Sequence, residues 1–237
     1  MLPPTLGYRW LAAAWAGFAL LALAGCASEP VGEGIAAPQL VVGDHWQYRV
    51  TDNLRRGIES QLDVEVLQVS GQAALIHFVH SDAKGWSEWF EESDGNGGLH
   101  AGSLHNEPPR PFNPPAQLLE FPLDQGKTWR QVINTVRQDT ELDDHILIYG
   151  RVDTPGTTTV PAGSFNAVYV YRVLQLDDEE FWRTRTLRRD AIWYAAEVKA
   201  AVRETRDASY IERDAPDPTI RTESILLELE SFRPGRN

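Results

Sequence analysis

Apolar and polar residues alternate with a period of two along most of this chain. In SQLDVEVLQV, residues 60–69, three apolar residues fall on one face of an extended backbone and two acidic residues fall on the other. ESILLELESF, residues 223–232, repeats the pattern. A β-strand places successive side chains on opposite faces, so this period predicts strands with one buried face and a low helix content.

Eleven segments carry this alternation or a β-branched and aromatic composition, and short turns separate most of them. They are residues 46–51, 60–69, 73–80, 86–93, 127–136, 145–152, 166–176, 180–187, 191–195, 199–206 and 223–232. So many strands with short connections predict an antiparallel meander. Because such a sheet twists, we expect an all-β fold in which a single curved sheet stays open or partly closes into a barrel.

Two short regions interrupt the strand pattern. NEPPRPFNPPAQ, residues 106–117, contains five prolines and predicts a long polyproline-like loop rather than a linker between two subdomains. Residues 115–121, PAQLLEF, are the candidate for one helical turn.

The N-terminus carries an apolar run of 14 residues, Leu11 to Ala24, preceded by Arg9. The run is shorter than the roughly 20 residues that span a bilayer, and it fits the apolar core of a secretory signal. Its end, Leu23-Ala24-Gly25-Cys26, resembles the bacterial lipobox, in which a cysteine receives two fatty-acyl chains before cleavage. The resemblance implies that residues 1–25 are removed and that Cys26 becomes a lipidated N-terminus.

Two other interpretations of the N-terminus stay open, an ordinary cleaved signal with a chance cysteine and a signal-anchor helix. Cys26 is the single cysteine, so the chain cannot form an internal disulfide. Residue 27 is alanine, and the resemblance therefore favours the outer membrane of a Gram-negative cell, with the body facing the periplasm. Residues 26–38 are expected to form the lipidated cysteine and a flexible tether, and residues 39–237 a single β-rich domain.

The composition limits the partners. The chain carries 34 acidic and 22 basic side chains, a formal net charge of −12. Nucleic acids and anionic membrane surfaces are bound through clustered lysine and arginine, so the excess of acid argues against both.

Two stretches within residues 157–206, TTVPAGSFNAVYV and IWYAAEVKAAVRE, resemble a broad group of uncharacterised bacterial envelope β-proteins. The pattern of that group pairs V-P-A-G-x-F-x-A with a downstream W-Y-A-P-x-V-G turn. The resemblance implies a curved antiparallel sheet and no activity. Ala196 and Lys199 stand where the pattern has Pro and Gly, so we expect the second turn to differ in geometry.

The sequence contains no motif for a resident metal or cofactor, and we expect neither. His77 and His80 have opposite parity on one predicted strand and cannot share a metal ion. Glu92, Asp94 and Asn96 provide oxygen atoms at alternate positions, as in the first half of an EF-hand calcium loop, but the second half does not match. Asp-Gly and Asn-Gly pairs are typical of hairpin turns, so a turn is favoured over this weak calcium candidate.

Nucleophilic catalysis has no support in the sequence, since it has no G-x-S-x-G motif and its one thiol is the predicted lipidation site. A pair of acids assembled by the fold stays possible in principle. The candidate place is the predicted loop cluster around 91–106, which contains His100 and His105.

Aromatic and basic residues give the candidate contacts for a ligand or a partner. Trp86 and Trp89 have opposite parity on one predicted strand, so at least one of them faces away from the core. Arg183 and Arg185 are expected to share a strand face with Phe181 and are candidates for meeting an anionic ligand, with pairing to nearby acids as the alternative.

The sequence therefore favours a non-enzymatic outer-membrane lipoprotein whose periplasmic β-domain binds a partner protein or an apolar ligand in the concavity of its sheet. An apolar cavity bordered by tryptophan would favour a ligand, and a filled core would favour a partner surface. The alternatives are an envelope hydrolase with a site built from loops around 91–106 and a structural factor of a larger envelope assembly.

Overall fold

In a computed structural model of the chain, the described residues are 34–55, 58–136, 143–176, 182–213, 217 and 219–236. They form twelve strands and one short 3-10 turn. The strands are β1 (His45–Asp52), β2 (Ile58–Ser70), β3 (Ala73–Asp82), β4 (Gly85–Asp94), β5 (Gly98–Gly102), β6 (Arg110–Gln117), β7 (Thr128–Val136), β8 (Asp143–Val160), β9 (Gly163–Leu176), β10 (Arg183–Ala195), β11 (Ala200–Glu212) and β12 (Thr219–Arg233). No helix in this part of the chain is long and apolar enough to cross a membrane.

All twelve strands belong to one antiparallel sheet in the order β6-β5-β4-β3-β2-β1-β12-β11-β10-β9-β8-β7. Strands that follow each other in the chain are paired, apart from β6 and β7, which form the two edges of the sheet. In addition, β1 pairs with β12. The sheet is nearly closed into a barrel, which confirms the predicted fold class. The meander therefore begins and ends in the middle of the sheet, and its two edges are consecutive in the chain.

Side chains bridge the two edges where a backbone ladder is missing. The Gln131 side chain accepts a hydrogen bond from the Gln117 backbone N–H and donates one to the Pro115 carbonyl, both at 2.8 Å. The Trp129 indole donates to the Gln117 carbonyl at 3.0 Å. A Cβ at Gly150, opposite Trp129 on β8, would lie 2.0 Å from the indole ring, so this closure requires glycine there.

The predicted loop at residues 106–117 and the predicted helical turn at residues 115–121 are both wrong, because strand β6 forms there. The proline-rich segment is a strand from Arg110, and residues 115–117 continue it where a helical turn was expected. Because proline has no N–H to donate to a β-ladder, it is tolerated on edge strands. β6 is an edge strand of this sheet. Strand β5 was not predicted, and residues 183–187 of the predicted strand 180–187 form one strand, β10, with the predicted strand 191–195.

The apolar faces of the strands point into the barrel, as the alternation predicts. Buried clusters centre on Trp46 and Leu229 near one end, on Ile146 and Leu176 near the other, and on Val170 and Ile192 between β9 and β10. Trp89 is one of the partly buried side chains that pack against the first cluster.

Buried Asp44 joins three chain segments at the first of these ends. Its carboxylate accepts hydrogen bonds from the backbone N–H groups of Val41 and Gly235, at 2.8 and 2.9 Å, and from the Lys199 ammonium at 2.7 Å. Lys199 follows the 3-10 turn Ala196–Val198 with φ of 59°, the left-handed conformation that glycine favours. The turn therefore keeps a conformation suited to the pattern's glycine, and the ion pair with Asp44 stabilises the lysine that replaces it.

The folded body begins before the predicted domain boundary at residue 39. Ile35 forms a β-bridge with Leu123, with N–H to carbonyl distances of 3.3 and 2.8 Å. Ile35, within the predicted tether, therefore contacts the β6–β7 connection. Cys26 and the predicted signal lie outside the described residues.

Candidate ligand-binding cavity

Six charged side chains occupy the inward face of the barrel, and we call them the charged layer. They are Glu91 on β4, Arg172 on β9, Arg188 and Asp190 on β10, and Glu204 and Arg206 on β11. Those on β9, β10 and β11 lie on the same strand face as buried apolar residues; on β9, for example, Arg172 lies between the buried residues Val170 and Leu174. The sheet register places Asp190 beside Arg172 on one neighbouring strand and beside Arg206 on the other.

Asp190 is fully buried between two arginines of the charged layer. It accepts hydrogen bonds from Arg172 Nε at 2.8 Å and from Arg188 Nε at 2.7 Å. Burial by itself would raise the pKa of Asp190, but the guanidinium groups of Arg188 and Arg172 outweigh it and lower the pKa to about 2. The carboxylate is therefore ionised at neutral pH.

Glu204 and Arg206 form a two-point ion pair next to Asp190. Arg206 Nε and Nη2 donate to the two oxygens of Glu204 at 2.9 and 3.0 Å, and Arg172 Nη2 lies 3.3 Å from Glu204 Oε1. Burial opposes ionisation of Glu204, yet Arg206 holds the pKa of this carboxyl below its usual range. The Arg206 side chain keeps 38% of its accessible surface although it lies in the barrel interior.

That accessible surface faces open space. A cavity of about 790 Å³ lies between the charged layer and the barrel end that carries the β1–β2 turn and the loop 103–109. A second cavity, of about 270 Å³, lies on the other side of the layer. Four residues border both cavities: Leu62, Glu91, Arg206 and Leu227. Sites for small molecules in proteins commonly enclose a few hundred to about 1,000 Å³, so the larger cavity is in the range of a binding site.

The walls of the larger cavity combine apolar and charged side chains. Apolar side chains come from the flanking strands, the β1–β2 turn and the loop 103–109; they are Val50, Leu54, Leu62, Trp89, Leu104, Ala208, Ile225 and Leu227. Arg188, Arg206 and Glu91 contribute the polar side of the charged layer. Such a site suits a ligand with both an apolar and a polar part.

The loop 103–109 folds into the barrel and forms one wall. Glu107 is buried and accepts hydrogen bonds from the backbone N–H groups of Leu104 and His105. Fully buried Arg183 lies 3.4 Å from the Glu107 carboxylate, and Arg188 donates to the Leu104 carbonyl. Charged contacts inside the barrel therefore hold this loop in place.

His105 from this loop is 6% exposed and lines the larger cavity. Its Nε2 makes no hydrogen bond with any part of the chain that the structure describes, and it lies 3.6 Å from Glu223 Oε2. Burial, together with the positive charges of Arg188 and Arg183, lowers the pKa of His105 to about 3. The imidazole is therefore neutral at physiological pH.

We expect this histidine to make stability depend on pH. Between about pH 6.5 and pH 3 the unfolded chain binds a proton at residue 105 that the folded chain does not bind, so the free energy of unfolding falls as the pH falls, by up to about 1.4 kcal/mol per pH unit. His105→Gln removes this contribution. Its free energy of unfolding, measured in urea between pH 7 and pH 4.5, should therefore change less with pH than that of the native chain. His100→Gln, a change on the outer surface, is the control. Parallel pH profiles for the native chain and His105→Gln would contradict the prediction.

The structure separates the two predicted tryptophan contacts. Trp86 is 69% exposed on the outside of β4, and Trp89 lines the larger cavity. Trp89 stacks on Phe78 at a ring distance of 5.0 Å and donates from its indole nitrogen to Glu91 at 3.0 Å. The expected opposite orientation of Trp86 and Trp89 is confirmed.

The prediction that Arg183 and Arg185 share a strand face is wrong. Arg183 is fully buried, whereas Arg185 is exposed. The pairing of β10 with β11 shifts register between Thr184 and Leu187, and Arg185 has a φ of 55°. A bulge inserts an extra residue into one strand. Residues two apart in sequence can then point to opposite faces of the sheet. Phe181 lies outside the described residues.

The weak calcium candidate lies at the β4–β5 turn. Asp94 Oδ1 accepts hydrogen bonds from the backbone N–H groups of Asn96 and Gly98, both at 2.9 Å, and Asp94 Oδ2 lies 3.0 Å from His100 Nε2. Glu92 is exposed. These contacts are those of a hairpin turn, and within the described ranges no three His, Cys, Asp or Glu side chains are grouped to hold a metal ion.

The charged layer was not predicted from the sequence, although the sequence contains a signal for it. In VYVYRVLQL, Arg172 lies between apolar residues at i±2, and in LRRDAIWY, Arg188 and Asp190 have the same parity as the apolar residue Ile192. A charged residue with the parity of a buried face indicates an interior polar site. Which partners meet there depends on strand order, and the sequence does not give that order.

Neither a protein-family model nor a curated protein matches the chain. Among solved structures, a candidate lipoprotein from Parabacteroides distasonis is 13% identical with a TM-score of 0.47, covering 85% of this chain and 100% of that chain. A candidate exported protein with a YmcC-like fold from Bacteroides fragilis is 13% identical with a TM-score of 0.43, covering 84% and 99%. The hypothetical lipoprotein YmcC from Escherichia coli (K12) is 8% identical with a TM-score of 0.37, covering 81% and 85%. Similarity at this level assigns neither a family nor a function to the chain.

Proposed function

We propose that this chain is a non-enzymatic lipoprotein of the bacterial envelope, anchored through Cys26 in the outer membrane, whose periplasmic barrel binds an amphipathic small molecule. The resemblance of Leu23-Ala24-Gly25-Cys26 to a lipobox supports the anchor. Two or more acyl chains give stable anchoring, because each buried methylene adds about 0.8 kcal/mol.

The observation that carries the ligand-binding proposal is the cavity of about 790 Å³ inside the barrel. An interior filled with side chains would leave binding to the outer surface and would favour a partner protein. This interior is open, with Trp89 on its wall and the guanidinium of Arg206 on its floor. A purely apolar ligand would leave that charge desolvated without a new partner, so a ligand with one polar end fits better.

The hydrolase alternative receives less support from the geometry. Of its candidate residues, Glu91 and His105 line the cavity, but Asp94 and His100 pair with each other at the β4–β5 turn. Burial raises the pKa of Glu91, and His105 with a pKa of about 3 is a weak proton acceptor at neutral pH. The two groups can bind a polar ligand atom more readily than they can activate a nucleophile.

Calorimetric titration with laurate and dodecanol tests the proposal, using the full chain with Cys26→Ser so that no acyl group of its own is present. At least one of these probes should bind with about 1:1 stoichiometry, and Trp89→Ala should weaken binding by about tenfold because it removes a large apolar contact from the cavity wall. Trp86→Ala is a matched control, since Trp86 lies three residues away on the outer face.

Three results would contradict the proposal. Absence of binding by both probes would remove its basis, and equal losses in Trp86→Ala and Trp89→Ala would place binding elsewhere. Conversion of an ester probe, dodecyl acetate, at a rate that depends on His105 would favour the hydrolase instead.

A further inference from the structure

Resting on this proposed function, we infer that the cavity selects a single-tailed amphiphile with an anionic head group, a carboxylate or a phosphate monoester. The Arg206 guanidinium would hold the head group, and the tail would lie against the apolar walls of the cavity.

Arg206 has a free donor at the floor of the cavity. Its Nε and Nη2 atoms are both bound to Glu204. Its Nη1 atom forms no hydrogen bond with the described residues, while the side chain borders both cavities and keeps 38% of its accessible surface. One guanidinium nitrogen is thus available to an oxygen of a ligand, and hydrogen bonds of this charge-assisted kind are among the strongest in proteins.

The ion pairs within the layer also favour an anion. Three guanidinium groups, on Arg172, Arg188 and Arg206, surround two carboxylates, Asp190 and Glu204, that the arginines keep ionised. Glu91, the third acid, accepts a hydrogen bond from the Trp89 indole at 3.0 Å, and burial raises the pKa of its carboxyl. Three guanidinium groups thus share two ionised carboxylates, and an anionic head group gives the Nη1 atom of Arg206 an acceptor of its own.

The other acids around the larger cavity already have partners inside the protein. Asp52 accepts hydrogen bonds from two backbone N–H groups of the β1–β2 turn, and Glu88 pairs with His77 at 2.9 Å. Glu107 is bound to its own loop, and Glu223 accepts a hydrogen bond from a tyrosine hydroxyl. A cationic head group would have to displace these contacts, whereas an anionic one meets the free nitrogen of Arg206.

His105 gives a second, independent polar contact. It is more than nine-tenths buried, it lines the cavity that Arg206 borders, and its Nε2 atom is without a hydrogen-bond partner among the described residues. A buried polar atom without a partner costs free energy, and a ligand oxygen can supply the missing hydrogen bond. A neutral imidazole can donate to that oxygen without a change of charge.

Binding of four dodecyl compounds to the full chain with Cys26→Ser tests the inference: laurate, dodecyl phosphate, dodecanol and dodecyltrimethylammonium. We expect at least one of the two anions to bind tenfold or more tightly than both dodecanol and the cation. The tighter of the anions identifies the head group. If dodecanol or the cation binds as tightly as the anions, the inference is wrong while the proposed function stands. If none of the four binds, the proposed function itself fails.

Variants of Arg206 test the assignment of the head-group site. Arg206→Gln should lose at least tenfold in affinity for the anion and change less than threefold for dodecanol, which also shows that the cavity is intact. Arg189→Gln, an exposed change on β10, is the matched control and should bind like the native chain. If Arg206→Gln no longer binds dodecanol, Arg206→Lys, which keeps the charge, should still bind the anion at least threefold more tightly than dodecanol. An unchanged anion preference in Arg206→Gln would overturn the assignment.

Discussion

Asp190→Ala is expected to lower the free energy of unfolding by about 3–5 kcal/mol. Asp190 is fully buried and accepts hydrogen bonds from Arg172 and Arg188. Removing one member of a buried ion pair costs this much because it leaves charge in the interior without its partner. The change would leave the three guanidinium groups of Arg172, Arg188 and Arg206 around Glu204 alone. Urea unfolding at pH 7 gives the measurement.

Asp207→Ala is the matched control for this change. Asp207 lies on the neighbouring strand β11, beside Arg189, and is exposed. Loss of an exposed charge on a strand surface has little effect on stability, so we expect a change within about 0.5 kcal/mol. Asp190→Asn keeps the size of the side chain and loses its charge, and it should fall between the two alanine variants. Similar stabilities for Asp190→Ala and Asp207→Ala would show that the charged layer does not hold β9, β10 and β11 together.

Cys26→Ser is expected to abolish membrane anchoring. A serine offers no thiol for acylation, so the chain should either accumulate as an unprocessed precursor or appear in the soluble periplasmic fraction. Cell fractionation with metabolic labelling by palmitate measures both the anchoring and the acyl group. If the variant stays in the membrane fraction as a processed chain, the lipid anchor is wrong.

Ala27→Asp tests the choice of membrane separately. By the resemblance to bacterial lipoproteins, an aspartate after the lipidated cysteine indicates retention in the inner membrane, so this variant should stay acylated and move from the outer to the inner membrane. Separation of the two membranes by density would show the shift. An unchanged distribution would contradict outer-membrane sorting through residue 27.

Strand positions were largely predictable because a sheet with one buried face imposes a period of two on the sequence. β2 and β12 illustrate this, with Leu62 and Val64 on the first strand, and Leu227 and Leu229 on the second, buried as their alternation requires. The rule failed where something other than alternation decided the conformation. β6 is a strand despite its prolines because it lies at an edge, and the bulge in β10 places Arg183 inside and Arg185 outside.

The candidate site was only partly predictable. Trp89 and Arg183 were singled out from their residue types, and one lines the cavity while the other holds the loop that forms its wall. Arg172, Asp190 and Arg206 come from three strands, and their side by side placement follows from the register between those strands. Register depends on contacts between segments that are distant in sequence, and a local pattern carries no information about them.

The sequence by itself determined an all-β chain with one apolar face per strand, an acidic surface and the resemblance to a lipidation signal, because these properties reside in local composition and period. Tertiary structure alone decided that the sheet curls until β6 and β7 meet, that three arginines and their carboxylates lie together inside it, and that space remains on both sides of them. The reason is physical: the cost of burying each charge depends on which partners the other strands bring to it, so the same residues would be untenable inside a sheet of different strand order.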